Sequence, residues 1–230
     1  MEIKQKPSKN FSSRQGSKII AIVDHITAGA FSGAVSWLCN PVAKASAHYV
    51  ISRAGEIIQL VADENKAWHA GGPNRPNWPV YDGTDPNLYT IGIEHEGYKD
   101  QGGNGQLTED QYQATLWLHR QLIAKHGIKI DRDHIIGHYR IDSVNRPNCP
   151  GPAFPWDRLF DDLENKPVSQ VPGPFTDVAG DRWSAGHIAR VKDLGLMVGG
   201  GDGYFNPEAP LTREQMAALI CKLIDKGMIK

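Results

Sequence analysis

The ten residues NKPVSQVPGP, at positions 165–174, constrain this chain more than any other stretch. Three prolines and a glycine suit neither helix nor ladder, because each proline lacks an amide donor and holds its predecessor extended. The spacing predicts a linker there, with one unit over residues 1–164 and a smaller one over 175–230, a size at the lower edge of independent folding.

The first unit alternates strand and helix signals. Residues 19–27 (IIAIVDHIT) predict a buried strand, residues 48–53 and 56–61 a hairpin turned at Ala54–Gly55, and residues 88–96 (LYTIGIEHE) a further strand. A helix is predicted after Leu107, with Thr108 as N-cap, Gln111 completing a capping box, and Leu107 stapled to Tyr112. On it Tyr112, Leu116, His119, Leu122 and Ile123 share one face, and Gly127 stands where the helix should stop. Residues 134–138 predict a short strand. The pattern is α/β.

An apolar fraction of 40% with 22% charge is ordinary for a folded globular chain, and predicts neither disorder nor a membrane span. A net charge of −1 offers no basic field for nucleic acid. The first twenty residues are locally basic, but the apolar run at 19–23 is too short for a signal-peptide core and no cleavage site follows it. Synthesis and folding in the cytoplasm are therefore expected. Three cysteines form no disulfide framework. Cys221 and Cys39, beside apolar neighbours, predict small core residues.

Cys149 differs, because Pro147, Asn148, Pro150 and Gly151 around it form no apolar stripe. His138 lies eleven positions earlier, close enough for a strand end and its loop to aim imidazole and thiolate at one point. That pair suits zinc, which takes nitrogen at about 2.0–2.1 Å and sulfur at about 2.3 Å. As a third ligand His134 is poorly placed, since four strand steps separate it from His138 by roughly 13 Å. His25, ending a buried strand before a Thr-Ala-Gly turn, sits where α/β sheets form their sites. Two histidines and a cysteine leave the fourth position open, which points to catalysis.

At these residues the chain resembles a family. IVDHITAG, SAHYVISRAGEIIQLV, AWHAGG, TIGIEHEG and IIGHYRID…RPNCPG resemble, in that order, the zinc-dependent N-acetylmuramoyl-L-alanine amidases shared by phage endolysins and peptidoglycan recognition proteins. The resemblance implies a mixed β-sheet flanked by helices, one Zn2+ per chain on His25, His138 and Cys149, and Glu94 as the catalytic carboxylate. The residues also admit Glu96, which shares a strand face with Glu94. His48 and His69 match positions beside the cleft, where they either line it or pack. Trp68 offers either a substrate face or core burial. Family members often carry a lysine two residues before the last ligand. Pro147 stands there, with the cationic Arg146 adjacent.

Residues 175–230 resemble one S-layer homology repeat, a module that holds proteins on Gram-positive cell-wall polymers. In its TREQ segment Thr212 is the predicted N-cap, Gln215 closes the box and Leu211 staples Met216. Arg213 is the candidate contact to an anionic secondary wall polymer. Such repeats usually occur in threes, so association of chains through the repeat is an expectation.

The resemblances together imply an enzyme that cuts peptidoglycan between N-acetylmuramic acid and L-alanine with zinc-activated water, an endolysin or autolysin acting at the wall after release or export. The alternatives are a cytoplasmic amidase recycling muropeptides and a non-catalytic wall-binding protein.

Overall fold

A computed structural model describes residues 1–98, 101–164, 175–178, 182, 184–200 and 203–229. The chain forms two compact units, Met1–Glu164 and Asn165–Lys230. The predicted linker, residues 165–174, lies outside the described residues.

In the first unit the strands are β1 (Ile3–Gln5), β2 (Phe11–Ser13), β3 (Ala21–Ile26), β4 (Tyr49–Ile51), β5 (Ile57–Gln59), β6 (Asn65–Ala67), β7 (Thr90–His95) and β8 (Ile135–Gly137). Its helices are α1 (Phe31–Cys39), α2 (Glu109–His126) and α3 (Trp156–Glu164). Six strands form one mixed sheet in the order β1-β5-β4-β7-β3-β8, and β2 pairs with β6. Only β4 and β5, the predicted hairpin, run antiparallel within the large sheet; β4, β7, β3 and β8 are mutually parallel neighbours.

Side-chain alternation decides the two faces of this sheet. Ile22, Tyr49, Ile51, Ile91 and Ile93 pack against Ala114, Leu118 and Leu122 of α2. On the other face Ala21 and Val23 pack with Ala70, Trp78 and Ile136, while Val50 meets Val35 and Leu38 of α1. Strand β3 is buried along its length apart from Ile26, as a central parallel strand should be.

Helix α2 starts and stops where its sequence predicts. The Thr108 hydroxyl accepts from the Gln111 amide, and Gly127 caps the far end at φ +67°. The predicted box does not close, however. The Gln111 side chain is buried and donates instead to Ile51 O and Glu96 O, because these two carbonyls next to it outcompete the cap amide.

The α2 face of the sheet also holds a buried polar group. Asp24 faces His119 Nε2 at 3.2 Å, while His119 Nδ1 donates to Thr115 O at 2.8 Å. Burial opposes charge on this imidazole, but the Asp24 carboxylate overcomes it and raises the His119 pKa.

The second unit contains α4 (Ala185–Asp193) and α5 (Arg213–Asp225). Phe175, Val178, Ala185 and Ile188 form its small core, with Phe205 against it. The Asp177 carboxylate accepts from the Phe205 and Asn206 amides at 2.8 and 2.7 Å. On α5 both halves of the Thr212–Gln215 capping box are present. Cys221, predicted as a core residue, is exposed, since α5 buries none of its residues. No described helix is long and apolar enough to cross a membrane.

Candidate metal centre

The carboxyl ends of β3, β7 and β8 meet at one edge of the sheet, and three predicted ligands meet there with them. His25 is the penultimate residue of β3 and His138 follows β8 directly. Cys149 comes from the next loop, where it precedes a cis peptide bond to Pro150. Tyr139 N donates to Cys149 O at 3.1 Å, tying that loop to the end of β8. One ligand atom from each residue lies within 4.8 Å of the others, and this is the cluster among the described residues able to hold a metal ion.

The hydrogen bonds of both imidazoles suit a cation. His138 Nε2 lies 2.9 Å from Ala70 O; a carbonyl only accepts, so Nε2 carries the proton and Nδ1 a lone pair. His25 Nε2 lies 3.0 Å from His69 Nδ1, and its Nδ1 lies 3.1 Å from His138 Nδ1. Neighbouring nitrogens about 3.3 Å apart would be expected around a tetrahedral ion with bonds of about 2.0–2.1 Å. Burial first, and then the neighbouring histidines, hold His25 well below the usual imidazole range. Burial also lowers His138. Both rings are thus neutral and able to ligate a metal ion. Cys149 is pushed up to about 12 by burial and by Glu94, against a hydrogen bond from the Ile26 backbone, so its thiol ionises only with a cation beside it. Two neutral imidazoles and a thiol that needs a cation fit a divalent metal such as zinc.

Glu94 stands beside His25 in the parallel register of β7 with β3. Its Oε2 is buried and without a hydrogen-bond partner, although the residue keeps some solvent contact. Burial raises its pKa to about 7, with Arg146 pulling the other way. Glu96 is differently engaged: Oε1 accepts from Phe31 N and Oε2 from Arg53 N, each at 2.8 Å. Its carboxylate ties the first turn of α1 to the hairpin end, so the choice between the two acids falls to Glu94.

The remaining candidates divide. The exposed Arg146 acts electrostatically on Glu94, His25, His138 and Cys149 together. It is the cation next to Pro147, which stands at the lysine position, and its Nη1 donates to Asn145 O at 3.3 Å. His69 is inside the centre, bonded to His25. His48, expected beside the cleft, is completely buried. Its ring meets Gly92 N, Arg14 Nη2 and Asn65 O, which leaves it no surface to offer a substrate. Trp68 is half-buried and donates from Nε1 to Ser12 Oγ on β2, a packing role. Arg213 is the exposed first residue of α5 in the other unit. His134, set aside as a ligand, pairs with Asp131 at 2.6 Å.

A residue cluster that can hold one metal ion next to a buried carboxylate, at the carboxyl edge of a mixed sheet, defines a hydrolytic type of site. Residues 15–152 match the family described as N-acetylmuramoyl-L-alanine amidase (Amidase_2), and the chain belongs to that family. Residues 174–217 match the S-layer homology domain. N-acetylmuramoyl-L-alanine amidase A of Achromobacter lyticus is 29% identical over 170 residues, covering 66% of this chain and 87% of that protein. The 1,6-anhydro-N-acetylmuramyl-L-alanine amidase AmpD of Salmonella typhimurium is 39% identical over 117 residues, or 50% of this chain. This chain spans about half of AmpD's length, 56%. The crystal structure of a selenomethionine AmpD derivative superimposes with a TM-score of 0.54 at 28% identity, covering 70% of this chain and 94% of that one.

Proposed function

We propose that this protein hydrolyses the amide between the lactyl group of N-acetylmuramic acid and L-alanine in peptidoglycan, with one Zn2+ held by His25, His138 and Cys149. The observation that carries the reading is the buried Glu94 Oε2, without a hydrogen-bond partner, on the strand position paired with His25 of the three-residue cluster. When bound, zinc would act there as a Lewis acid toward water and the scissile carbonyl.

The chain's own residues supply the rest. Glu94, with a pKa near neutrality, takes a proton from the attacking water as the C–O bond forms. It returns that proton to the departing alanine nitrogen as the C–N bond breaks. A carboxyl poised near pH 7 serves both steps without a large penalty in either. Arg146 faces the negative charge that develops on the lactyl oxygen. The second unit supports action on the wall rather than on released fragments, with Arg213 offering a bidentate contact to anionic polymer.

Hydrolysis of a soluble N-acetylmuramoyl tripeptide in 18O-labelled water tests the chemistry. The reading expects free peptide beginning with L-alanine and label in the lactyl carboxylate. Intact substrate, or label in any other group, contradicts it.

A further inference from the structure

The AWHAG motif contributes no metal ligand, yet two consecutive residues in it touch both histidine ligands. Ala70 O accepts from His138 Nε2 at 2.9 Å, and His69 Nδ1 lies 3.0 Å from His25 Nε2. The direction of the second bond follows from what lies behind it. His69 Nε2 is 3.1 Å from Thr90 Oγ1, and the Thr90 hydroxyl donates to Pro86 O at 2.7 Å.

Pro86 O is a carbonyl and can only accept. It therefore takes the single Thr90 proton, so Thr90 Oγ1 must accept from His69 Nε2–H. His69 is buried, and its ring nitrogens meet a hydroxyl and an imidazole but no carboxylate that would hold a second proton, so the ring is neutral and its Nδ1 bears a lone pair. His25 Nε2–H donates to that lone pair. Each bond fixes the next, and the series ends with His25 Nδ1 unprotonated and facing His138 Nδ1.

The fold is arranged around this series. Gly92 lies between Thr90 and Glu94 on the same face of β7, and a Cβ there would sit 2.3 Å from His69 Cγ. Only glycine leaves room for the ring. Asn87 Oδ1 accepts from His69 N and Ala70 N at 2.9 and 2.8 Å, so the turn that ends the series at Pro86 also pins the backbone of the motif.

We infer that His69, held by Thr90 and Pro86 O, is a positioning residue that selects the His25 tautomer, so that both histidines present Nδ1 to the metal. The inference rests on the metal-site reading above. Loss of the Thr90 hydroxyl would release the His69 proton from Nε2. Retautomerised His69 would then donate to His25 Nε2 and put the His25 proton on Nδ1, where no metal can bind.

The test is zinc affinity, read by competition with a chromophoric chelator, together with 15N spectra of the imidazoles. In the wild type, His25 and His69 should each be protonated at Nε2, with zinc on His25 Nδ1. Thr90→Val, an isostere without the hydroxyl, should weaken zinc about 10-fold, the lower end for partners of metal ligands. Thr90→Ser should restore wild-type affinity, which a packing role for the methyl group would not do. Zinc binding by wild type and Thr90→Val with equal affinity, or a His69 proton on Nδ1, overturns the inference while leaving the metal site intact. A wild type that takes no zinc overturns the metal site and the relay with it.

Discussion

Glu94 and Glu96, two positions apart on and just beyond β7, put identical carboxylates to opposite uses. Glu96 accepts two backbone amides at 2.8 Å, whereas Glu94 Oε2 is buried with no partner. Hydrogen bonding satisfies a charge and spends it on structure, while burial without a partner keeps a proton acceptor available. Glu94→Gln should thus retain fold and zinc while kcat falls roughly 10²–10⁴-fold. Glu96→Gln should mainly lower stability, by about 1–2 kcal/mol for weakened charge-assisted bonds. Paired denaturation and rate measurements separate them, and the reverse pattern would exchange the roles.

Gly151, two residues beyond Cys149, has φ +136°, and a Cβ there would lie 2.1 Å from Asn104 O. Neither backbone can yield cheaply, because Ala153 N also donates to Asn104 O at 3.0 Å. Gly151→Ala should cost at least about 2 kcal/mol and weaken zinc by displacing Cys149. Gly127→Ala shares a positive φ, +67°, but meets nothing within 4 Å. It should cost about 1–2 kcal/mol with zinc binding unchanged. Equal zinc loss in both variants would remove the link between this loop crossing and the metal site.

The metal-free protein should lose stability as pH falls below about 6.5, the ordinary histidine pKa. Burial lowers His25, His48, His69, His95 and His138 in the folded state. Below that pH the unfolded chain binds protons that the folded chain refuses, so stability declines toward the folded-state values. His119 works the other way. Its raised pKa gives stability that is complete below about 6.5 and lost as pH rises through the folded value. His119→Gln should therefore abolish a gain in stability that appears as pH falls through the folded value toward about 6.5, and leave the decline below 6.5 in place. Urea midpoints from pH 5 to 8 measure both, and a midpoint that rises as pH falls from 6.5 to 5 would contradict the assignment.

Strands β3 and β7, the hairpin and both ends of α2 were legible from local pattern, since long apolar runs and caps act within a few residues. The clustering of His25, His138 and Cys149 was legible too, because a thiol between prolines has no packing explanation and both histidines stand at strand ends. Strands β1, β2 and β6 were not. Each has three residues and exists through pairing partners distant in sequence, which propensity does not register. His69 and Thr90 were hidden for a related reason, as their roles depend on hydrogen-bond direction across 21 residues of sequence. The alternation Thr90, Gly92, Glu94 on one strand face is the signal that could have found them. Gln111 and Cys221 went astray where local signals met tertiary surroundings they do not encode.

A chain ending at Glu164 should cleave a small soluble muropeptide at the full-length rate, because every residue of the centre lies before that point. On insoluble wall it should pellet less, since a tethered second site raises effective concentration at the surface. Arg213→Ala in the full chain should reproduce part of that loss, and added salt should deepen it. Equal pelleting of short and full chains would leave the S-layer homology unit without an anchoring role.

The most direct measurement is digestion of purified cell wall by the zinc-loaded protein, scoring new alanine amino groups and new reducing sugar ends in the same sample. Amide cleavage from the His25–His138–Cys149 centre predicts alanine amino groups rising with time and no gain in reducing ends, with the signal abolished by chelation and restored by zinc. Reducing ends without new alanine amino groups, or undiminished release after the metal is stripped, would contradict it.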